Sequence, residues 1–171
     1  MKNYAAFYEK HTGFLKKLKN PEKGLTLLNK VLTCAVALLY FVGAGMSAFS
    51  LFGAPLATLF ALGVPLASTL VCITILRFLF PRKRPYDQEG AGITPICKKE
   101  KSSPSFPSRH TACAFAIATA LLRLSPFLAI PTYLLGAILA CVRFLSGFHY
   151  PSDLLGGAAL GTSLGLLAFL F

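Results

Sequence analysis

Between Lys30 and Arg77 run 46 residues without a single Asp, Glu, Lys, Arg or His. A helix crossing a bilayer takes about 20 predominantly apolar residues. The stretch therefore holds two crossings, and a soluble domain of this length has no interior large enough to hide it. A tight turn between the two helices is predicted at Phe52-Gly53-Ala54-Pro55, because Gly and Pro punctuate helices. Composition agrees: 55% of the 171 residues are hydrophobic and 13% charged, against about 25% charged in an ordinary soluble domain. Mean hydropathy is +0.65.

The remaining apolar segments complete a map of five spans. The polar stretch from Pro81 to Pro107 reads as a loop. A third span runs from about Ser108 to Arg123, and Ser125-Pro126 breaks it from a fourth that reaches about Val142. The fifth begins near Pro151, where Pro suits a first helical turn, and continues to Phe171. The expected fold is all-α: one membrane-embedded domain over 1–171, with a basic interfacial segment (1–26) and a transmembrane core (27–171). In the basic segment, Tyr4, Phe7, Tyr8, Phe14, Leu15 and Leu18 recur at intervals of three, four and seven among lysines. That pattern predicts an amphipathic helix lying on the membrane, aromatic side down, and ended by Asn20-Pro21. A signal peptide cut near Ala44–Ala48 is discounted, because the apolar run continues past that point. The five cysteines form no C-x-x-C pair, so neither a disulfide framework nor a zinc site is supported, and Cys97 reads as an ordinary loop residue.

Lys plus Arg number 17 against 6 acids, a formal charge of +11. In a membrane chain this suits anionic lipid headgroups or phosphorylated substrates rather than nucleic acid. Ionisable groups at a membrane are costly without a partner and so mark function. Here Arg77, Arg84, Ser108, His110, Arg143, His149 and Asp153 all lie at the mouths of apolar segments. Arg77 ends span two, Ser108 opens span three, Arg143 ends span four and Asp153 opens span five. An even number of crossings separates them, so the map gathers all of them on one face.

Together they suit a phosphate group, which carries about two negative charges. Guanidinium groups of Arg77, Arg84 and Arg143 can neutralise its oxygens, with bidentate contacts. Ser108 stands where a helix starts and where backbone N–H groups face an anion. His149 and Asp153 are four apart, so the carboxylate can hold one ring nitrogen and leave the other to attack phosphorus. His110 is then available to protonate the leaving oxygen and to activate water. No carboxylate cluster offers to hold magnesium or zinc, so neither a metal nor another cofactor is expected.

The three clusters read Arg77-x6-Arg84-Pro85, Pro107-Ser108-Arg109-His110 and Val142-Arg143-x5-His149-x3-Asp153. They resemble the K-x6-R-P, P-S-G-H and S-R-x5-H-x3-D pattern of the type 2 phosphatidic acid phosphatase superfamily, which also includes vanadium haloperoxidases and glucose-6-phosphatase. The resemblance implies phosphate binding by Arg77, Arg84, Ser108 and Arg143, His149 as nucleophile, Asp153 as its orienter and His110 as acid and base. Three positions depart from the pattern: Arg77 for Lys, Val142 for Ser, and Arg109 for Gly, which adds a cation suited to a diphosphate or a larger headgroup. The compact chain is similar to bacterial undecaprenyl-diphosphate phosphatases, which makes a polyprenyl diphosphate the first expected substrate. It is also similar to phosphatidylglycerophosphate and phosphatidate phosphatases, so a phosphoglycerolipid is the second. A non-enzymatic anion carrier is the alternative outside enzymology.

Other features read as ordinary membrane-protein features. Arg82, Lys83, Lys98, Lys99, Lys101 and Arg123 are read as snorkelling or topology-setting cations. Gly156, Gly157, Gly161 and Gly165 are read as helix-packing contacts. Nearly all cations fall on the face shared by the N-terminus and the polar clusters. Counted by the positive-inside rule, that face is cytoplasmic; the family resemblance implies an extracytoplasmic site, and that expectation is retained. Oligomeric state is not encoded in any pattern found.

Overall fold

In the computed structural model of the chain, residues 2–49, 55–88, 93–98 and 103–171 are described. Among them lie six α-helices and no strand: α1 (Lys2–Thr12), α2 (Pro21–Ala48), α3 (Pro55–Leu79), α4 (Arg109–Leu124), α5 (Pro126–Leu145) and α6 (Pro151–Gly165), the last extended by a 3-10 turn over Leu166–Leu170. Proline opens α2, α3, α5 and α6, where its missing N–H has no intrahelical partner to lose. The turn expected at residues 52–54 lies outside the described residues.

The side chains are arranged for lipid rather than water. Phe41, Phe49, Phe78, Phe127 and Leu155 point outward, while alanines and hydroxyl residues share the centre with Leu62, Ile73, Leu121 and Leu139. The hydroxyls of Thr33, Ser47, Thr69 and Thr132 each donate to the carbonyl four residues back. A polar group in hydrocarbon is thus satisfied within its own helix. Helices α2, α3, α5 and α6 with its 3-10 extension are each long and apolar enough to cross a membrane. The chain is a multi-pass helical membrane protein.

Helix α4 takes the place of the expected third span but is short. Its 16 residues rise about 24 Å, short of the roughly 30 Å hydrocarbon layer. It is bounded by Ser108 and Ser125, both in extended conformation. Instead it is the central post of the bundle, packed by α2, α3, α5 and α6. Residues Ala112, Ala114, Ala116, Ala118 and Ala120 are buried along its length.

The tightest seam is α4 against α6, and glycine makes it. A Cβ on Gly157 would lie 2.8 Å from the Ser108 carbonyl oxygen, and one on Gly161 only 2.1 Å from that of Ala112. One on Gly165 would meet Thr119. The i, i+4 spacing puts all three on one ridge, so the two backbones approach as closely as small residues permit in a membrane. The packing reading of these glycines holds, and the seam sets the start of α6 against the start of α4.

The N-terminal segment differs from expectation. Helix α1 ends at Thr12, not at Asn20, and α2 begins at Pro21, ahead of the expected core boundary. Phe14 and Leu18 are exposed, but Tyr8 is buried and Tyr4 half-buried. The Tyr8 hydroxyl donates to the Leu145 carbonyl at 3.0 Å, its ring meets Phe144 edge-on, and Tyr4 lies 4.8 Å from the Tyr150 ring. One side of α1 therefore covers the α5–α6 loop rather than lying toward lipid.

Candidate active site

Four helix ends and three connecting segments converge at one end of the bundle. The last turn of α3 carries Arg77, and the extended segment after it carries Arg82 and Arg84. Residues 103–108 lead into α4, whose first turn carries Arg109 and His110. Arg143 ends α5, His149 lies in the loop that follows, and Asp153 is in the first turn of α6. Arg77, Arg84, Arg109 and Arg143, with His110, His149 and Ser103, surround a cavity of about 150 Å³. Among the described residues its wall holds four guanidinium groups and no carboxylate. Such a concave cationic site with buried walls is a trap for an anion.

Backbone oxygens hold Arg77 and Arg84 in place. Arg77 directs Nε and Nη2 at the Pro107 carbonyl, at 3.2 and 2.9 Å, tying the end of α3 to the approach of α4. Arg84 is buried and reaches the Ser103 carbonyl through Nε at 3.1 Å and the Ser103 hydroxyl through Nη2 at 2.8 Å. Arg143, 2% exposed, lies over the Phe148 ring at 4.6 Å and brings Nη2 to 3.4 Å from His149 Nε2.

His149 sits two residues before α6, not within it. It is 1% exposed and Asp153 is fully buried, with Nδ1 and Oδ2 3.7 Å apart. Burial pushes the imidazole below the usual histidine range; the Asp153 carboxylate pulls it upward, while Arg143 and Arg84 push it down again. The balance leaves the ring neutral at neutral pH.

Asp153 is more heavily held than its spacing implied. Oδ2 accepts the Tyr150 N–H at 2.9 Å and a short hydrogen bond from the Ser105 hydroxyl. Oδ1 takes Arg82 Nη1 at 2.8 Å, and the same nitrogen donates to the Ser152 hydroxyl. Arg82 also stacks 4.1 Å above the Tyr150 ring, whose hydroxyl reaches Gln88 at 3.0 Å. The snorkelling reading of Arg82 is thus corrected: it is the ion-pair partner of the buried carboxylate. Ser103, Ser105 and Arg82 lie inside or beside the recognised motifs, and no spacing rule separates them from neighbouring Lys83 and Pro104.

Ser108 precedes the first turn of α4 and is not on the cavity wall. It is fully buried, its N–H donates to the Asp153 carbonyl at 3.0 Å, and its hydroxyl accepts from Thr111 at 3.1 Å. The side chains facing the cavity from this helix start are those of Arg109 and His110. Cys97 is 4% exposed and touches Thr26 and the Glu22 carbonyl, as an ordinary packed residue does.

A second cavity adjoins the first. Thr33, Val36 and Ala37 of α2, Cys113, Ala114 and Ile117 of α4, and Leu139 of α5 enclose an apolar groove of about 190 Å³. Arg109 and His110 form part of its wall as well, so they stand between a polar chamber and a greasy one.

The family model described as the PAP2 superfamily matches residues 58–171, a range that contains all the residues around the polar chamber. The chain belongs to the PAP2 superfamily. Undecaprenyl-diphosphatase BcrC of Bacillus subtilis is 37% identical to it over 67 residues, 39% of this chain and 35% of that protein. The match thus spans about a third of that relative's length. Two solved structures share the fold at 21% identity. The transmembrane PAP2 type phosphatidylglycerolphosphate phosphatase of Bacillus subtilis superposes with a TM-score of 0.66, covering 100% of this chain and 87% of its own. LpxE of Aquifex aeolicus gives 0.61, covering 87% of this chain and 94% of its own. Helices α1 and α2 of this PAP2 member precede the matched range, and the superposition on the Bacillus subtilis phosphatase covers them as well.

Proposed function

We propose that this PAP2 member is an integral-membrane lipid phosphatase that works through a phosphohistidine on His149. The observation that carries the reading is the pair of chambers meeting at Arg109 and His110. One suits a phosphate, the other a hydrocarbon chain, and a lipid phosphate has both ends. Arg77, Arg84 and Arg143 hold the phosphoryl oxygens, which draw the Arg143 guanidinium away from Nε2. The Nε2 lone pair then attacks phosphorus, the P–O bond to the leaving group breaks, and His110 gives that oxygen its proton. In the second half, His110 takes a proton from water, the water oxygen bonds to phosphorus, and the N–P electron pair returns to Nε2. Charge is neutralised by guanidinium groups throughout, so no metal is required.

Polyprenyl diphosphate is the first substrate and a phosphoglycerolipid the second. The apolar groove suits a hydrocarbon chain, and Arg109 at the junction meets the second phosphate of a diphosphate between the reacting group and the tail. Likeness to an undecaprenyl-diphosphatase supports the same choice. Phosphate release from a lipid panel in detergent with EDTA tests the reading. Wild type should turn over and accumulate an acid-labile phosphoenzyme on rapid quenching, and His149→Ala should lose both. Arg109→Gly should depress diphosphate turnover more than monophosphate turnover. Retained phosphate release by His149→Ala would end the phosphohistidine reading, and ion flux without hydrolysis would favour a carrier.

A further inference from the structure

The carboxylate expected to orient His149 lies within ion-pair range but makes no direct hydrogen bond to it. Asp153 Oδ2 lies 3.7 Å from Nδ1, beyond a direct hydrogen bond. Between them stands the hydroxyl of Ser105, whose Oγ is 3.4 Å from His149 Nδ1 and in short contact with Asp153 Oδ2. A hydroxyl has one proton to donate and lone pairs with which to accept. The ionised carboxylate only accepts, so the Ser105 proton goes to Asp153 and a lone pair faces the ring. That arrangement matches only a ring bearing hydrogen on Nδ1. Its other nitrogen, Nε2, then has its lone pair on the side of the polar chamber.

We infer that Ser105 is a positioning residue for His149: its hydroxyl links the ring to Asp153 and fixes the tautomer whose Nε2 can attack. The inference rests on the reading of His149 as nucleophile. Asp153 has other partners as well. Its Oδ2 already accepts the Tyr150 N–H and its Oδ1 the Arg82 guanidinium, which pin the carboxylate on two sides. Ser105 is pinned as well: it is fully buried, and its N–H donates to the Arg82 carbonyl at 2.8 Å. The backbone of Arg82 thus fixes the link while its side chain fixes the carboxylate. The 3.4 Å separation is at the outer edge of hydrogen-bond length, and such contacts tighten when substrate closes a site.

Losing the link removes an acceptor from Nδ1 and the path by which Asp153 steadies a positive ring. Around that ring stand Arg143 of α5, Arg77 of α3, Arg84 of the following segment, Arg109 and His110 of α4, and Asp153 of α6. The cations are unchanged by the substitution, so their push against a charged ring is then less opposed. The acid limb of kcat/KM in Ser105→Ala should move to lower pH.

The test uses the full chain in detergent with ¹⁵N-labelled imidazoles, where only three histidines must be assigned. Wild type should show His149 with hydrogen on Nδ1 at neutral pH. Ser105→Ala should show a mixture of tautomers, with kcat down roughly 10- to 100-fold, the range typical of losing an orienting partner behind a functional imidazole, and KM little changed. Ser105→Thr should restore both; should its methyl not fit, Ser105→Cys, a weaker donor, should fall between. Ser105→Ala with wild-type tautomer, or with wild-type kcat, overturns the inference. If the tautomer responds but wild type forms no phosphohistidine, the link stands and the nucleophile reading fails, so the two failures are distinguishable.

Discussion

His149 is neutral because it is enclosed, and its reactivity follows from that. Burial outweighs the nearby carboxylate, and Arg143 and Arg84 act in the same direction as burial. The attacking form is the neutral one, and lowering the pKa extends it to more acidic solution. The acid limb of kcat/KM is therefore expected below the ordinary value of about 6.5. Substrate ionisation near pH 6 gives a similar limb, so Arg143→Gln is the decisive comparison. Removing that cation should move the limb upward while lowering kcat/KM, whereas a limb set by the substrate stays where it is. An unmoved limb would mean that His149 is not the titrating group. At this scale spacing displayed the cations and imidazoles well, because regular intervals from helix ends mark them. It did not display Arg82 or Ser105. In Pro-Arg-Lys-Arg-Pro the first two cations look alike, and only the fold shows that one of them turns toward Asp153.

At the scale of helices, the site depends on how closely α6 approaches α4. Ser108 N–H bonds to the Asp153 carbonyl, and that contact exists because the glycine ridge lets the helices meet. Gly161→Ala would place a methyl 2.1 Å from the Ala112 carbonyl oxygen, and a backbone atom cannot step aside as a side-chain tip can. The helices must separate, at a cost of about 1–3 kcal/mol or more, and Asp153 moves with α6. Thermal unfolding should shift down and turnover should fall together. Gly63→Ala in α3 is the control, since a Cβ there meets nothing within 4 Å; it should be neutral or slightly stabilising. Equal behaviour of the two variants would contradict the seam. The glycine spacing made this ridge legible in advance. The partner of α1 was not legible, because periodicity reveals that a helix has an apolar face but not what that face covers. Here the Leu145 carbonyl and the rings of Phe144 and Tyr150 need cover, and Tyr8 and Tyr4 supply it.

Among the described residues many large apolar side chains face out, while hydroxyl and charged ones are gathered inside with the core leucines and alanines, the arrangement a bilayer favours. The ends are unequal: α1, the start of α2, the polar chamber and most cations share one face, with Arg123 at the other end. Charge counting would put the rich face in the cytoplasm, whereas an extracytoplasmic site is the orientation proposed here from family likeness. Several of those cations are occupied around the chamber, so they weigh less as topology signals than their number implies; the exposed lysines of residues 10–23 have no such role. Native Cys97 is a poor reporter because it is buried. Lys98 is exposed beside it, so Lys98→Cys in a chain with the exposed Cys34 and Cys141 replaced reports the face directly. Lys10→Cys must agree with it, since α1 packs against Phe144 and Tyr150 at the same end. Both should react with a membrane-impermeant maleimide in intact cells and be protected in inverted vesicles. Reaction of both only in inverted vesicles would place the chamber in the cytoplasm and confine its substrate to the inner leaflet. Opposite behaviour of the two probes would instead contradict the packing of α1 on the α5–α6 loop.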